Sequence, residues 1–534
     1  MENAEAVSGL LRYTFVPLFS CRRAMALKNV CTTSTGCVST RVAIVGSGFG
    51  GLATAHYLKQ AGIHDFLILE RAGDVGGVWR DNSYPGCACD VQSHLYSFSF
   101  APNPDWSRAF SPQAEILGYL KRCVQELGLM PHVRLNHEVH RAKWDEASAT
   151  WCIQTSQGEV RAQHLVGAFG SLSDPLMPKL PGLEVFKGEV FHSANWPRSF
   201  NPKGKRIAVV GTGASALQFI PAIQPDVAQM HVFQRTPPWV LPRHDGPISP
   251  FARSLFRKMP WLQKLARAQV YVHREALALG FLHPWLMART QAKALRHMHA
   301  AVKDSTLRKK LTPDYTLGCK RILISNTYYP ALAQANVEVV TDGVKQILPD
   351  GVVGQDGAFR PVDTIIYGTG FQTKDLPFTH LIRDGEGRTL ASAWKGSPQA
   401  YMGTTVHGFP NLYLLHGPNI GLGHTSVVYM LEAQARHIVG VIKLAQSNGY
   451  DAVEPTASAQ QRFLTRIEKM MRGTVWVAGG CESWYLDETG RNSSIWPGFT
   501  FSYAQAASKV AEKDYVWRRL APMRQASSTA KASS

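Results

Sequence analysis

The chain has 534 residues, which is too long for one hydrophobic core and predicts several domains. Its composition, 45% hydrophobic and 18% charged, is that of a globular protein, and no uninterrupted apolar run is long enough for a membrane-spanning helix. The net charge is +18, but the basic residues are scattered along the sequence and no nucleic-acid-binding motif is present. We therefore expect no nucleic-acid partner and no integral membrane segment.

The composition of the two ends of the chain indicates whether they are ordered, and the cysteines indicate the cellular compartment. Residues 1–40 are basic and rich in Cys, Ser and Thr, which predicts a disordered extension, either a transit-like presequence or the product of a start placed before Met25. Residues 516–534 are predicted to form a flexible tail. Nine cysteines at irregular spacing, without any CxxC, argue against a disulfide framework and against a metal site. They favour reduced thiols and a cytoplasmic protein.

The first predicted strand, RVAIV, runs into a glycine turn and an Ala/Leu-rich helix. Gly46, Gly48 and Gly51 have the G-x-G-x-x-G spacing of dinucleotide-binding folds, with Phe49 inside the turn. Such glycines permit the tight turn, the close approach of a pyrophosphate and the packing of helix on strand. Glu70 ends the next apolar run, nineteen residues after Gly51, where a carboxylate binds a ribose diol. This pattern predicts a site for FAD.

A second predicted strand, RIAVV, leads into a turn of the same kind. Gly211, Gly213 and Ala216 repeat the spacing, and Arg235 follows Ala216 by nineteen residues. An arginine at this point accommodates a 2′-phosphate, so the second site is predicted to bind NADPH. Two dinucleotides of different kinds on one chain indicate a flavin that is reduced by NADPH. The remaining turn residues expected at this cofactor are Thr212, Ala214 and Ser215.

These elements predict an α/β fold with two Rossmann-like dinucleotide-binding domains, the second inserted in the first, plus a mostly helical insertion. The FAD-binding domain is predicted to comprise residues 41–180 and 371–515, and the NADP-binding domain residues 181–370, with the helical insertion at about 237–310. The buried strand in VDTIIYGTGF, near Asp363, is predicted to return to the first sheet. The substrate pocket is expected between the insertion and the loop around Val475 and Trp476.

The segment FKGEVFHSANWP lies between the two glycine turns of the predicted cofactor sites. Its Phe186, Gly188, His192, Trp196 and Pro197 match every fixed position of F-x-G-x-x-x-H-x-x-x-W-P, and the chain therefore resembles the Baeyer–Villiger monooxygenases, the class B flavoproteins. Further similar segments extend from about 41 to 503, among them YPGCACD, GCKR and GPNIGLGH. The resemblance implies that the histidine and the tryptophan support the fold and the nicotinamide site without performing the chemistry.

The resemblance also implies an active-site pair. Arg321, in GCKR, matches the family's active-site arginine, and Asp90, in YPGCACD, matches the carboxylate that orients it. A guanidinium keeps its proton when buried, so it suits the stabilisation of a peroxyflavin anion that attacks a ketone. The implied contacts to FAD are Gly77, Val78, Trp79, Asp90, Tyr96 and Val139, and those to NADP are Gln234, Arg235, Thr236, Lys320 and Arg321.

The leading hypothesis is an NADPH-dependent monooxygenase that uses dioxygen to convert a ketone to an ester or lactone, with side sulfoxidation, as a monomer or weak dimer. An N- or S-oxygenating flavin monooxygenase is the alternative, although Trp196 and Arg321 argue against it. An NADPH-dependent disulfide reductase shares the two-cofactor layout but needs a closely spaced cysteine pair at the flavin. Cys87 and Cys89 form only a C-x-C, which we interpret as two small buried residues beside a turn. A basic, non-enzymatic binding protein has only the net charge in its favour.

Overall fold

The computed structural model describes residues 37–520, and the following elements are numbered in chain order. The strands are β1 Val38–Val45, β2 Phe66–Leu69, β3 Val133–Arg134, β4 Val139–Asp145, β5 Thr150–Thr155, β6 Gly158–Gly167, β7 Glu189–His192, β8 Arg206–Val210, β9 Gln229–Phe233, β10 Val240–Leu241, β11 Leu323–Ile324, β12 Val337–Val340, β13 Val344–Leu348, β14 Gly351–Gly354, β15 Phe359–Pro361, β16 Thr364–Tyr367, β17 Ile382–Arg383, β18 Leu412–Leu414, β19 Ala452–Pro455 and β20 Tyr515–Arg518. The helices are α1 Phe49–Gln60, α2 Val78–Asp81, α3 Gln113–Glu126, α4 Ala214–Ile223, α5 Pro250–Lys258, α6 Pro260–Ala276, α7 Ala278–Leu282, α8 Met287–Ala301, α9 Ser305–Leu311, α10 Tyr328–Leu332, α11 Leu390–Trp394, α12 Val427–Asn448, α13 Ala457–Met471, α14 Val475–Ala478 and α15 Thr500–Ala507.

The predicted terminal segments differ from the structure where the two overlap. β1 begins at Val38, inside the predicted extension 1–40, because it pairs with β6 from its first residue. At the other end β20 pairs antiparallel with β19, so residues 516–518 belong to a sheet and not to a flexible tail. The rest of both predictions, residues 1–36 and 521–534, lies outside the described residues.

The first sheet has the strand order β17-β4-β5-β6-β1-β2-β3, with β18 added to β6. Its centre is parallel: β1 pairs with β2 on one side and with β6 on the other. β2 is the apolar run FLIL, and all four residues are buried, as expected for a strand covered on both faces. Helix α1 packs against the long helix α12, which buries Leu431, Ile438 and Ile442. The carboxyl ends of β1 and β2 therefore meet at one edge, where the first glycine turn lies.

The second sheet has the order β12-β9-β8-β16-β7, with every pair parallel. β16 is the strand of VDTIIYGTGF, and it lies between β8 and β7. The prediction that this strand returns to the first sheet is therefore wrong. A buried apolar strand before a glycine turn has the same local pattern in either sheet, and only its neighbours decide between them. The chain returns later, with β17 on β4 and β18 on β6. The predicted α/β class with two Rossmann-like units is confirmed.

Helices α5 to α9 form the insertion between β10 and β11, and these two short strands pair with each other. α6 lies across residues 92–103 of the first unit. The Arg267 guanidinium donates to the carbonyl oxygens of His94 at 2.7 Å and Ser97 at 2.9 Å. None of the described helices is long and apolar enough to cross a membrane.

One disulfide joins Cys319 to Cys481, 162 positions further along the chain. The prediction of reduced cysteines is wrong for this pair. Irregular spacing in the sequence gives no indication of it, because the two residues approach only when the segment before β11 packs against the loop after α14. Cys87, Cys89 and Cys123 remain buried thiols, as predicted for the first two.

Candidate active site

The turn between β1 and α1 leaves bare backbone where a pyrophosphate is expected. Gly46 has φ +107°, and a Cβ added there would lie 2.4 Å from the carbonyl oxygen of Ala168, so only glycine fits. Gly48 faces Gly77, and a Cβ on Gly77 would lie 3.1 Å from the Cα of Gly48. Two glycine backbones thus lie side by side at the amino end of α1. This cradle fits the diphosphate of FAD, which needs N–H groups and no intervening side chains.

Glu70 is buried beside this turn, and hydrogen bonds to both oxygens of its carboxylate fix the position of that group. Oε2 accepts from the backbone N–H of Ser47 at 3.0 Å and from its hydroxyl at 2.6 Å. Oε1 accepts from the N–H of Ala72 at 3.0 Å and lies 2.9 Å from the Arg80 guanidinium. The sequence argument identified Glu70 but missed Arg80. The ion pair sets the orientation of the carboxylate that a ribose diol would meet.

An aromatic group adjoins the cradle. Trp79, next to Val78 in α2, donates its indole N–H to the Tyr96 hydroxyl at 3.1 Å. The Phe49 ring packs edge-on against Tyr96, with 5.2 Å between ring centroids. Four of the predicted FAD contacts are thus brought together around α2. Val139 lies apart from them, at the start of β4, in the buried cluster that contains Val45 and Leu69.

The turn between β8 and α4 repeats the geometry with one substitution. Gly211 has φ +103°, and an added Cβ would lie 2.5 Å from the Gly368 carbonyl oxygen. Ala216 stands where a third glycine is usual. The methyl group of Ala216 is accommodated because the residue opposite is Gly368, which has no side chain. A Cβ added to Gly368 would lie 3.0 Å from the Ala216 Cβ. The close packing of helix and strand is retained, and Gly213 remains open.

Two cations converge beside this second turn. Arg235 is exposed just after β9 and takes part in none of the salt bridges found among residues 37–520. Burial lowers the pKa of Lys320, and the charge of Arg235 lowers it further against the opposing effect of Asp314. Gln234 is buried, and its Oε1 has no hydrogen-bond partner. The two cations fit a 2′-phosphate, and the amide oxygen of Gln234 can accept from a ribose hydroxyl. Thr236 adjoins them, and its carbonyl accepts from the Thr212 hydroxyl at 3.5 Å.

Arg321 and Asp90 form the ion pair that the family resemblance implied, although 231 positions separate them. Nε of Arg321 donates to Oδ2 of Asp90 at 2.8 Å, and an Nη donates to the same oxygen at 2.5 Å. Burial alone would raise the pKa of Asp90, but the guanidinium outweighs it and the pKa is lowered. The carboxylate in turn raises the pKa of Arg321 above its ordinary value. Both groups are therefore charged, and the arginine side chain remains 35% exposed to the cavity.

The loop that presents Asp90 is fastened to the second unit. The Tyr84 hydroxyl donates to Oε1 of Gln218, in α4, at 3.0 Å, and Nε2 of Gln218 donates to the Ala88 carbonyl at 2.9 Å. A Cβ on Gly86 would lie 2.7 Å from the Gln218 carbonyl oxygen, so the loop approaches the helix closely. The position of Asp90 thus depends on how the two units are packed together.

Arg321 and Asp90 open onto a cavity of about 330 Å³ whose walls are mainly apolar. The insertion supplies much of this wall, as predicted, including Phe281 and Met287. Trp476 stacks on Phe281 at 5.2 Å and lies one layer behind the wall. Sequence reasoning missed a further cation here. Arg274 donates to the Asp90 carbonyl at 3.1 Å and to Gln92 at 2.7 Å, and no motif surrounds it.

The residues of the signature segment pack inside the second unit. Trp196 packs against the rings of Phe191, Phe200 and Phe219, with centroids 5.1 to 5.6 Å apart. The Phe186 ring covers Gly188, where an added Cβ would lie 2.7 Å from it. His192 is buried, burial lowers its pKa, and its Nδ1 accepts from the Ala194 N–H at 3.1 Å. A neutral histidine inside the second unit suits a supporting role, and Pro197 continues the turn after Trp196.

Cys87 and Cys89, the C-x-C pair near the site, lack the thiol chemistry of a reductase. Burial raises the pKa of Cys87 to about 11 and also raises that of Cys89. Thiols of such high pKa are poor nucleophiles at neutral pH. They are also free of any mutual disulfide. The interpretation of this C-x-C as two packed residues agrees with the structure.

Comparisons with known proteins agree with this geometry. An α/β fold with two dinucleotide-binding units and an arginine–aspartate pair at its cavity is the arrangement expected of a flavin-dependent monooxygenase. A family model described as FMO-like, flavin-binding monooxygenase-like, matches residues 39–383 of the chain. Two proteins named Baeyer–Villiger monooxygenase, from Streptomyces coelicolor and Pseudomonas aeruginosa, are 47% and 48% identical to the chain. The first comparison covers 92% of this chain and 95% of that protein, and the second covers 87% and 88%. The chain belongs to the flavin-binding monooxygenase-like family, in its Baeyer–Villiger branch.

Solved structures give the same result. The cyclohexanone monooxygenase of Rhodococcus sp. Phi1 bound to NADP+ superimposes with a TM-score of 0.82 at 26% identity, over 91% of this chain and 100% of that one. An oxidised steroid monooxygenase bound to NADP superimposes with a TM-score of 0.81 at 28% identity, over 90% and 100%. FAD and NADPH are the cofactors of this chain.

Proposed function

We propose that the protein inserts one oxygen atom of dioxygen next to the carbonyl carbon of a ketone, which gives an ester or a lactone, and that it also oxygenates sulfides. The observation that carries this proposal is the Arg321–Asp90 pair, a permanent cation held at the wall of an apolar cavity. Bound FAD, reduced by NADPH, supplies the activated oxygen.

The chain's own contribution is electrostatic. Arg321 remains protonated because Asp90 raises its pKa, so it presents a positive charge at any pH the fold tolerates. Such a charge stabilises the negative charge that develops on oxygen during attack on a carbonyl, and it is most effective where water is excluded. Asp90 positions the guanidinium: with Nε and one Nη bound to a single oxygen, the other Nη is directed away from the carboxylate.

The cavity indicates the kind of substrate. Leu241, Ile322 and Ile324 line it together with leucines of the insertion, which suits a lipophilic ketone of modest size. The alternative, oxygenation of soft nitrogen or sulfur alone, needs no fixed cation beside the oxygen donor. The arginine is therefore the feature that favours ketones over that alternative.

The decisive experiment replaces Arg321 by alanine in the FAD-loaded enzyme. We expect ester formation from a ketone panel, measured by gas chromatography, to disappear, whereas anaerobic reduction of the flavin by NADPH continues. The Arg462→Ala variant is a matched control, since that guanidinium is 62% exposed and pairs with Asp514 away from the cavity. An Arg321→Ala enzyme that still forms ester would contradict the proposal, as would a wild-type enzyme that oxidises no ketone.

A cytoplasmic location is also proposed. The need for NADPH supports it.

A further inference from the structure

Helix α6 directs some of its polar side chains against the protein. The amide of Gln263 donates to the Asn103 carbonyl at 2.6 Å, and Arg267 binds backbone carbonyls of residues 94–97. Glu275 is buried and accepts from the Thr500 N–H at 3.0 Å. The protein-facing side of the helix therefore carries several polar side chains beside the core-packed Val270 and Tyr271.

The opposite side of α6 is apolar and faces solvent. Trp261, Leu265 and Val272 are 57%, 59% and 65% exposed, and Ala268 lies exposed between them. At 100° per residue these four positions fall within about 60° of one another. A surface helix normally has the reverse arrangement. Transfer of these apolar side chains out of water would be favourable, and no other residue within 37–520 covers them.

This stripe continues to the mouth of the active-site cavity. Leu277, Leu279 and Leu286 line the cavity and are also 42%, 45% and 37% exposed. Trp285, next to Leu286, is 75% exposed. We call the stripe of α6 together with these four residues the apolar face. Exposed tryptophans at the border of an apolar surface are typical of segments that lie at a membrane–water interface.

The insertion that carries the apolar face is basic. Residues 246–303 contain ten Lys and Arg but only one carboxylate, the buried Glu275, so this stretch contributes +9 of the net +18. Lys258, Lys264 and Arg289 are exposed and form none of the salt bridges found in the described part of the chain. The basic residues that looked scattered in the sequence are thus concentrated in the insertion.

We propose that the apolar face binds the surface of an anionic lipid bilayer, with the cavity mouth directed at that surface. An apolar stripe bordered by unpaired cations complements anionic headgroups above hydrocarbon. A second copy of the chain complements it less well, because a symmetric dimer through this face would bring two such basic stretches together. Binding does not depend on the oxygenation reaction, and apolar molecules dissolved in the bilayer would meet the cavity without crossing water.

The test is sedimentation of the FAD-loaded, full-length protein with sucrose-loaded vesicles. Vesicles of phosphatidylcholine are compared with vesicles that contain about a third phosphatidylglycerol. We expect binding only to the anionic vesicles, and at least a tenfold weaker partition at about 0.5 M salt, where exposed charges are screened. The Trp261→Ser/Leu265→Ser variant should lose at least tenfold in partition, and the Lys258→Gln/Lys264→Gln variant a similar amount.

The matched control is the Phe359→Ser/Val38→Ser variant, which removes two apolar side chains that are 46% and 49% exposed on strands outside the insertion. It should bind like the wild type, and flavin content with near-ultraviolet circular dichroism verifies the fold of every variant. Wild-type protein that ignores anionic vesicles overturns the proposal. So does a dimer in light scattering that dissociates in the Trp261→Ser/Leu265→Ser variant, because the occupant would then be a second copy.

Discussion

Replacement of Asp90 by asparagine should uncouple NADPH consumption from product formation. The side-chain shape is kept, but Oδ2 no longer holds a charge for the two donors at 2.8 and 2.5 Å. A hydrogen bond to a charged group contributes about 1.5–3 kcal/mol and a neutral one about 1 kcal/mol. Because the two side chains are 35% and 27% exposed, solvent screening reduces the difference to about 1–2 kcal/mol. We therefore expect about 5- to 30-fold less ester, with the unused oxygen released as hydrogen peroxide.

Three measurements distinguish a positioning role of Asp90 from a general loss of structure. They are ester by gas chromatography, peroxide by a coupled peroxidase assay, and the rate of flavin reduction by stopped flow. Only the first two should change. The Asp363→Asn variant is the control, because Asp363 binds Nε and an Nη of Arg206 at 3.2 and 2.6 Å and does not line the cavity. If Asp90→Asn yields as much ester per NADPH as the wild type, or if flavin reduction falls equally, the positioning role is refuted.

Three further outcomes are expected. Arg235→Ala should raise the KM for NADPH about 10- to 100-fold, with little change in kcat or in the kinetics with NADH. The reason is that the guanidinium supplies binding energy that the ground state and the transition state share. Equal effects on both nucleotides would contradict this. Burial lowers the pKa of His164 to about 3. Since the unfolded chain protonates this histidine below about pH 6.5, about 2 kcal/mol of stability present at neutral pH should be lost by about pH 5, as measured by denaturant unfolding, and His164→Gln should remove that part of the slope. Alkylation of the denatured protein without reductant, followed by mass spectrometry, should leave Cys319 and Cys481 unmodified; labelling of either would refute the disulfide.

Much of the cofactor chemistry could be predicted from short segments. Gly46 and Gly211 have positive φ angles set by their own turns, and Glu70 and Arg235 stand at fixed distances from them in the sequence. Such features are local, so they remain visible in a single sequence. Arg321 and Asp90 are different. Nothing in their immediate surroundings marks them, and only similarity to a family indicated the pair that the structure then brought into contact.

The sequence alone therefore determined which dinucleotides bind, because glycine turns and the charge that follows them are encoded within about 25 residues. Tertiary structure decided which sheet β16 joins, which cysteines pair, and that Arg274 reaches the cavity, since each of these depends on partners far along the chain. It also decided the orientation of α6. Helical periodicity reveals an apolar stripe, but only packing against residues 92–103 shows that the stripe faces outward, as Gln263 and Arg267 occupy the inner side.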